Sequence, residues 1–138
     1  MAQSTSKAPG RVEAKNEAVA VPSTGNTTLI EIEVDTVNEV GFAILPVTNA
    51  LDAFLVQGKF HREGAFVTLY SAAGAFTSPA GLIVAASGDL TGLAAAATGW
   101  FIMDVRPLFA VRLQASAAAA GAATVSTFAQ GRGYPNGA

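Results

Sequence analysis

Cysteine is absent from the 138 residues, and histidine occurs once. The first absence excludes a disulfide framework, a thiolate zinc site and a cysteine nucleophile, while leaving the compartment open. The single histidine, His61, is the only imidazole available as the base of a Ser-His-Asp arrangement, and the sequence has no Gly-x-Ser-x-Gly elbow to hold the serine. It reads instead as a polar residue at a strand end. Charge is scarce: 13% of residues are Asp, Glu, Lys or Arg, about half of the roughly 25% usual in a soluble domain. The eight basic residues are dispersed and the formal net charge is −2, which argues against a counterion-releasing nucleic-acid surface. Phosphate-cradling glycine loops are missing.

Long apolar runs are missing too. Leu82 to Val105 is the stretch to weigh as a membrane span, but Gly88, Asp89, Gly92 and Gly99 interrupt it, and a spanning helix needs about 20 largely apolar residues. The opening Met-Ala-Gln-Ser-Thr-Ser-Lys-Ala-Pro-Gly lacks the apolar core of a signal peptide. The expectation is therefore no membrane, no nucleic acid, no cofactor and no metal.

What is present is apolar and small. Half the chain (51%) is hydrophobic, and a chain of this size buries roughly two-thirds of its unfolded surface, enough for one self-sufficient domain. So little charge leaves apolar surface exposed, and such surface marks interaction sites. The composition points to a protein that lives in an assembly.

Residues 1–10 read as a flexible N-terminal arm. Arg11 to Val21 alternates charged with small apolar residues as a half-exposed strand does, although Ala, Glu and Lys also favour helix. The clearest strand is Thr28 to Asp35: Ile30, Ile32 and Val34 share one face, and Glu31, Glu33 and Asp35 the other. Val40 to Leu45 follows, ended by Pro46. Leu51 to His61 sets Phe54, Val56, Gly58 and Phe60 against Leu55, Gln57, Lys59 and His61, and Glu63-Gly64 turns it into Phe66 to Tyr70 as a hairpin. Leu82 to Ala86 is a further short strand, and Asp89 to Thr98 is a helical turn or a plain loop. Trp100 to Val105 and Leu108 to Ala115 meet at a Pro107 corner, and Ala123 to Gln130 closes the series. Eight or nine short strands without helical periodicity imply an all-β, antiparallel two-sheet sandwich or jelly roll over residues 11–130, with a C-terminal tail at 131–138.

Glu31, Glu33 and Asp35 are the first candidate contact residues, spaced about 7 Å apart along one strand face. They suit a solvated face, a basic partner or, with ligands from other loops, calcium. Arg112 alternates with Val111 and Leu113, so it is expected to face solvent or a partner carboxylate. Tyr134, between Gly133 and Pro135, is expected to anchor in a neighbour. Trp100 sits within an apolar run and is expected in the core; the competing use is sugar stacking by Trp100 or Tyr70. Asp52, Glu63, Asp89 and Asp104 offer no distinguishable acid pair for a hydrolase.

The strands Gly-Trp-Phe-x-x-Asp-Val (99–105), Val-Arg-Leu-Gln-Ala-Ser (111–116) and Thr-Val-Ser-Thr-Phe-Ala-Gln-Gly (124–131), with the Ala/Gly-rich loop between the last two, resemble small virion proteins of tailed bacteriophages. Among these the chain is similar to the jelly-roll cement, or decoration, proteins, of the type carried by a Bordetella phage. The resemblance runs over most of residues 11–131. It implies a non-enzymatic protein on the outer surface of an icosahedral head, made in the bacterial cytoplasm. Its partners would be major capsid subunits of the HK97-like fold and further copies of itself, as a dimer or trimer. No individual site residue carries over, and related sandwiches occur in phage tails and fibres.

Overall fold

The computed structural model describes residues 3–46, 51–72, 83–86, 99–117 and 122–133. Ten strands, and no helix, are found among them. They are β1 (Ser4–Ala8), β2 (Arg11–Val21), β3 (Thr27–Glu33), β4 (Glu39–Pro46) and β5 (Leu51–Lys59). The rest are β6 (Val67–Ala72), β7 (Ile83–Ala86), β8 (Gly99–Asp104), β9 (Ala110–Ala117) and β10 (Ala123–Arg132). No helix among the described residues is long and apolar enough to cross a membrane.

The strands form two antiparallel sheets, one of six strands in the order β1-β2-β10-β4-β8-β7 and one of four in the order β3-β9-β5-β6. The pairings are nested: β2 with β10, β3 with β9, β4 with β8, and β5 with β6. A long antiparallel hairpin rolled up on itself gives this pattern, with successive pairs falling alternately in the two sheets. That is the jelly roll, with β1 and β7 added at the outer edges of the larger sheet.

The alternation in the sequence explains which faces meet. Ile30, Ile32, Phe54, Val56, Leu113 and Ala115 line the inner face of the smaller sheet, and Val12, Val40, Phe42, Ile44, Phe101 and Met103 that of the larger; all are buried. Phe42 and Phe101 stand opposite each other in register and stack at 4.9 Å between ring centres. The corner at Val105–Phe109 carries the chain from the larger sheet to the smaller, with a cis peptide at Arg106–Pro107.

Two expectations are corrected. Residues 4–8, expected as part of a free arm, are β1, paired residue by residue with β2 from Ser4–Lys15 to Ala8–Arg11. Every β1 side chain is exposed, so the strand is held by backbone bonds and surface ion pairs and carries no apolar alternation to announce it. Likewise the closing strand runs two residues past Gln130, through Gly131 and Arg132, and the Gly133 amide then donates to the Gly10 carbonyl at 2.9 Å. Arg11–Val21 resolves as strand. Asp89 to Thr98 lies outside the described residues.

Candidate functional site

The two outward faces of the sandwich differ in chemistry. On the smaller sheet one cross-strand row runs Glu31, Arg112, Gln57, Thr68. Arg112 donates through Nε to Gln57 Oε1 at 2.9 Å, and its guanidinium carbon lies 4.2 Å from the Phe66 ring centre. Gln57 donates in turn to Thr68 Oγ1 at 3.3 Å, and Gln114 to Thr28 Oγ1 at 3.0 Å. Arg112, Gln57, Thr68, Gln114 and Thr28 on this face bond to one another within the chain. Arg112 is thus half-buried and internally held, where solvent or a partner carboxylate was expected, because Gln57 and Phe66 lie on adjoining segments.

The acidic strand is also partly occupied. Lys7 on β1 places Nζ 3.0 Å from Glu33 and 2.9 Å from Asp35, and the side-chain amide of Gln3 both accepts from Glu31 N at 3.0 Å and donates to the Glu31 carbonyl. The first residues therefore cover part of the exposed β3 edge. The hydrogen bonds Lys7 donates to Asp35 and then to Glu33 raise its pKa above the ordinary value. Among the described residues no cluster of three or more acidic or histidine side chains is arranged to hold a metal ion. Tyr134 lies outside the described residues, as does the Tyr70 side chain.

The outer face of the larger sheet is different. Trp100 and Phe128 each stand opposite Ala43 across β4, which puts their backbones about 10 Å apart with only a methyl group between. Trp100 is 41% exposed, Phe128 39% and Leu45, two residues further along β4, 37%. These are three of the five large apolar side chains exposed among the described residues. The core position expected for Trp100 is wrong: within Gly99–Asp104 it is Phe101 and Met103 that point inward and Trp100 that points out.

Two residues along, Ile102, Gly41, Gln130 and Glu13 form the next row on this face, and beyond it come Asp104, Glu39, Arg132 and Arg11. The face thus grades from aromatic to ionised. Gly41 and Ala43 floor a shallow depression of about 440 Å³ walled by Trp100, Ile102 and Phe128, and a second of about 500 Å³ lies beyond the Phe128 ridge, against Lys15 and Ser4. At the ionised margin Asp104 accepts from Arg106 Nε at 3.1 Å and Nη2 at 2.9 Å, which holds its carboxyl below the usual range. Glu13 is lowered by Arg11 at 2.8 Å and by Gln130 at 3.1 Å.

This arrangement can adhere. Its aromatic rings present apolar area and a fixed orientation, and its charges sit at the margin, the layout of a docking patch with an apolar centre and polar rim. His61 stands apart, exposed in the β5–β6 turn against Gly64.

No family of known proteins and no curated protein matches the sequence. Among solved structures the chain is similar to the SPBc2 prophage-derived protein YomS: the TM-score is 0.51 at 16% identity, over 90% of this chain and 96% of that one. At that identity the likeness speaks for the fold alone. A weaker one, TM-score 0.38 at 13% identity, covers 99% of this chain and 32% of a chain in the structure of infectious bursal disease virus strain Gx.

Proposed function

We propose that the chain is a virion structural protein that decorates the outside of a tailed-phage head and bridges neighbouring major capsid subunits of the HK97-like type. The observation that carries this reading is the outer face of the six-stranded sheet, where Trp100, Phe128 and Leu45 lie together over Gly41 and Ala43. A jelly roll serves many functions, and a surface of this kind is what distinguishes one from another. The likeness to a prophage-derived fold is compatible with it. On this reading the protein binds and does not turn over a substrate, and its low charge reduces the desolvation cost of being wedged between larger subunits.

The test is reconstitution. Purified chain is added to heads of its own phage assembled without it, and occupancy is read from sedimented particles. Wild type should saturate. Ala43→Arg, which fills the depression with a charged side chain, and the double change Trp100→Ala with Phe128→Ala should each reduce occupancy about tenfold or more, the scale of losing central anchors. Equal occupancy by both would refute the assignment.

A carbohydrate-binding module is the second reading, favoured by Trp100 standing exposed beside Glu39, Gln130 and Arg132. Saturable glycan binding abolished by Trp100→Ala, with no binding to heads, would select it.

A further inference from the structure

The sheet face alone is small for permanent attachment. Six strands at about 4.8 Å spacing and about seven residues long project roughly 650 Å², while a standard interface buries about 800 Å² from each partner. A second contact is needed, and one end of the sandwich has the chemistry for it.

At that end the segments 34–38, 60–66 and 105–109 converge. Backbone bonds latch them to one another: Val34 N to Phe109 O at 2.8 Å, Phe109 N to Lys59 O at 2.8 Å, and Val105 N to Asn38 O at 3.1 Å. Between them lies a depression of about 420 Å³ lined by Val37, Phe60, Val105, Pro107 and Phe109, among others. Phe60, which the alternation groups with the buried Phe54 and Val56, is 56% exposed, the highest of the large apolar side chains described. It breaks the alternation because β5 has ended at Lys59 and the chain is already turning.

Two cations stand over Phe109, one of the rings lining the depression. Lys59 Nζ lies 5.1 Å from the Phe66 ring centre and 5.8 Å from that of Phe109, and Arg62 lies 5.0 Å from Phe109. Among the described residues neither has a carboxylate within ion-pair distance, whereas the acids of the rim are engaged, Asp35 by Lys7 and Asp104 by Arg106. Glu63 and Glu39 are nearby acids that form no ion pair among them, and Glu39 lies on the far side, across from Asp104. The cations are thus held in place by aromatic faces while their charge stays unmatched.

We infer that this end is a second docking surface, for an acidic segment of a partner protein that carries an apolar side chain. The apolar group fills the depression beside Phe60, and the carboxylates reach Lys59 and Arg62. Because the rim is already latched, little loop-ordering entropy opposes binding. A continuous phosphate backbone fits less well: it would run past Asp35, Glu63 and Asp104. The surface shares no residue with the Trp100–Phe128 depression, so either can fail while the other stands.

The test is fluorescence anisotropy with a labelled decapeptide of Asp, Glu and Leu, against its Asn and Gln counterpart and an oligothymidine of equal charge. The acidic peptide should bind best, and weaken severalfold between about 0.05 and about 0.5 M NaCl. Phe60→Ser and the pair Lys59→Gln with Arg62→Gln should each weaken it about fivefold or more, and Glu63→Gln should tighten it. Thermal melts would check that these exposed changes leave the fold intact, and Trp100→Ala should bind as wild type does. Equal binding of the amide peptide, indifference to Phe60→Ser, preference for oligothymidine, or no binding would each overturn the proposal.

Discussion

Replacing Gly131 by alanine should destabilise the protein, and replacing Gly41 should not. Both glycines lie in the six-stranded sheet, on neighbouring strands, one pair apart in register. A Cβ at Gly131 would point inward, 2.7 Å from Val12 Cγ1, 3.0 Å from Val37 Cγ2 and 3.2 Å from Val40 Cγ2. All three neighbours are buried valines, whose branching leaves them few rotamers in which to retreat. Crowding of this kind costs about 1–3 kcal/mol. A Cβ at Gly41 points outward and meets nothing nearer than Ile102 Cγ1 at 3.7 Å. Alanine there should add about 0.4–1 kcal/mol by restricting the unfolded chain. That unfolded-state effect is common to both variants, so their difference isolates the packing, about 1–3 kcal/mol. Urea unfolding at constant m would show it as a separation of midpoints of roughly 0.5–1.5 M. Adding Val12→Ala to Gly131→Ala should recover part of the loss. Equal midpoints for the two single variants would refute the reasoning, because β10 would then not lie between β2 and β4 in the register described.

Thr127 is fully buried, and its hydroxyl has no hydrogen-bond partner among the described residues; Thr127→Val should stabilise the protein by about 1 kcal/mol, read by urea midpoint. Asp104 carries a folded pKa below its ordinary value because of Arg106, so its contribution is present above the unfolded value of about 3.9 and is lost as pH falls through the folded one. Asp104→Asn should therefore flatten the fall in melting temperature between about pH 5 and about pH 2, while keeping the acceptor for Arg106 N. The Lys7 bridges to Glu33 and Asp35 are exposed, so Lys7→Ala should cost no more than about 1 kcal/mol, shrinking further in high salt.

The strands whose two faces differ were legible in the sequence. Ile30, Ile32 and Val34 against Glu31, Glu33 and Asp35 could be divided at sight, and burial follows that division. Trp100 could not be placed this way. Gly-Trp-Phe-Ile-Met is apolar on both sides, so nothing local distinguishes the inward residues 101 and 103 from the outward 100 and 102. Their assignment depends on β8 pairing with β4, a strand more than fifty residues earlier. The same cause hid the exposed aromatic face, whose members come from β4, β8 and β10. β1 was missed for the opposite reason: Ser4, Thr5, Ser6 and Lys7 bury nothing, and a strand that buries nothing leaves no alternation to read. Arg112 faces outward as its alternation required, but its partners Gln57 and Phe66 lie some fifty residues away. Only the roll brings them together.

The most direct test is a density map of the decorated particle at a resolution that separates the sheets. The account predicts a jelly roll seated on the shell with β4, β8 and β10 turned toward a capsid subunit and Trp100 and Phe128 within its contact. A roll bound through another surface, with those two rings facing solvent, would contradict it, as would particles that carry no such density at all.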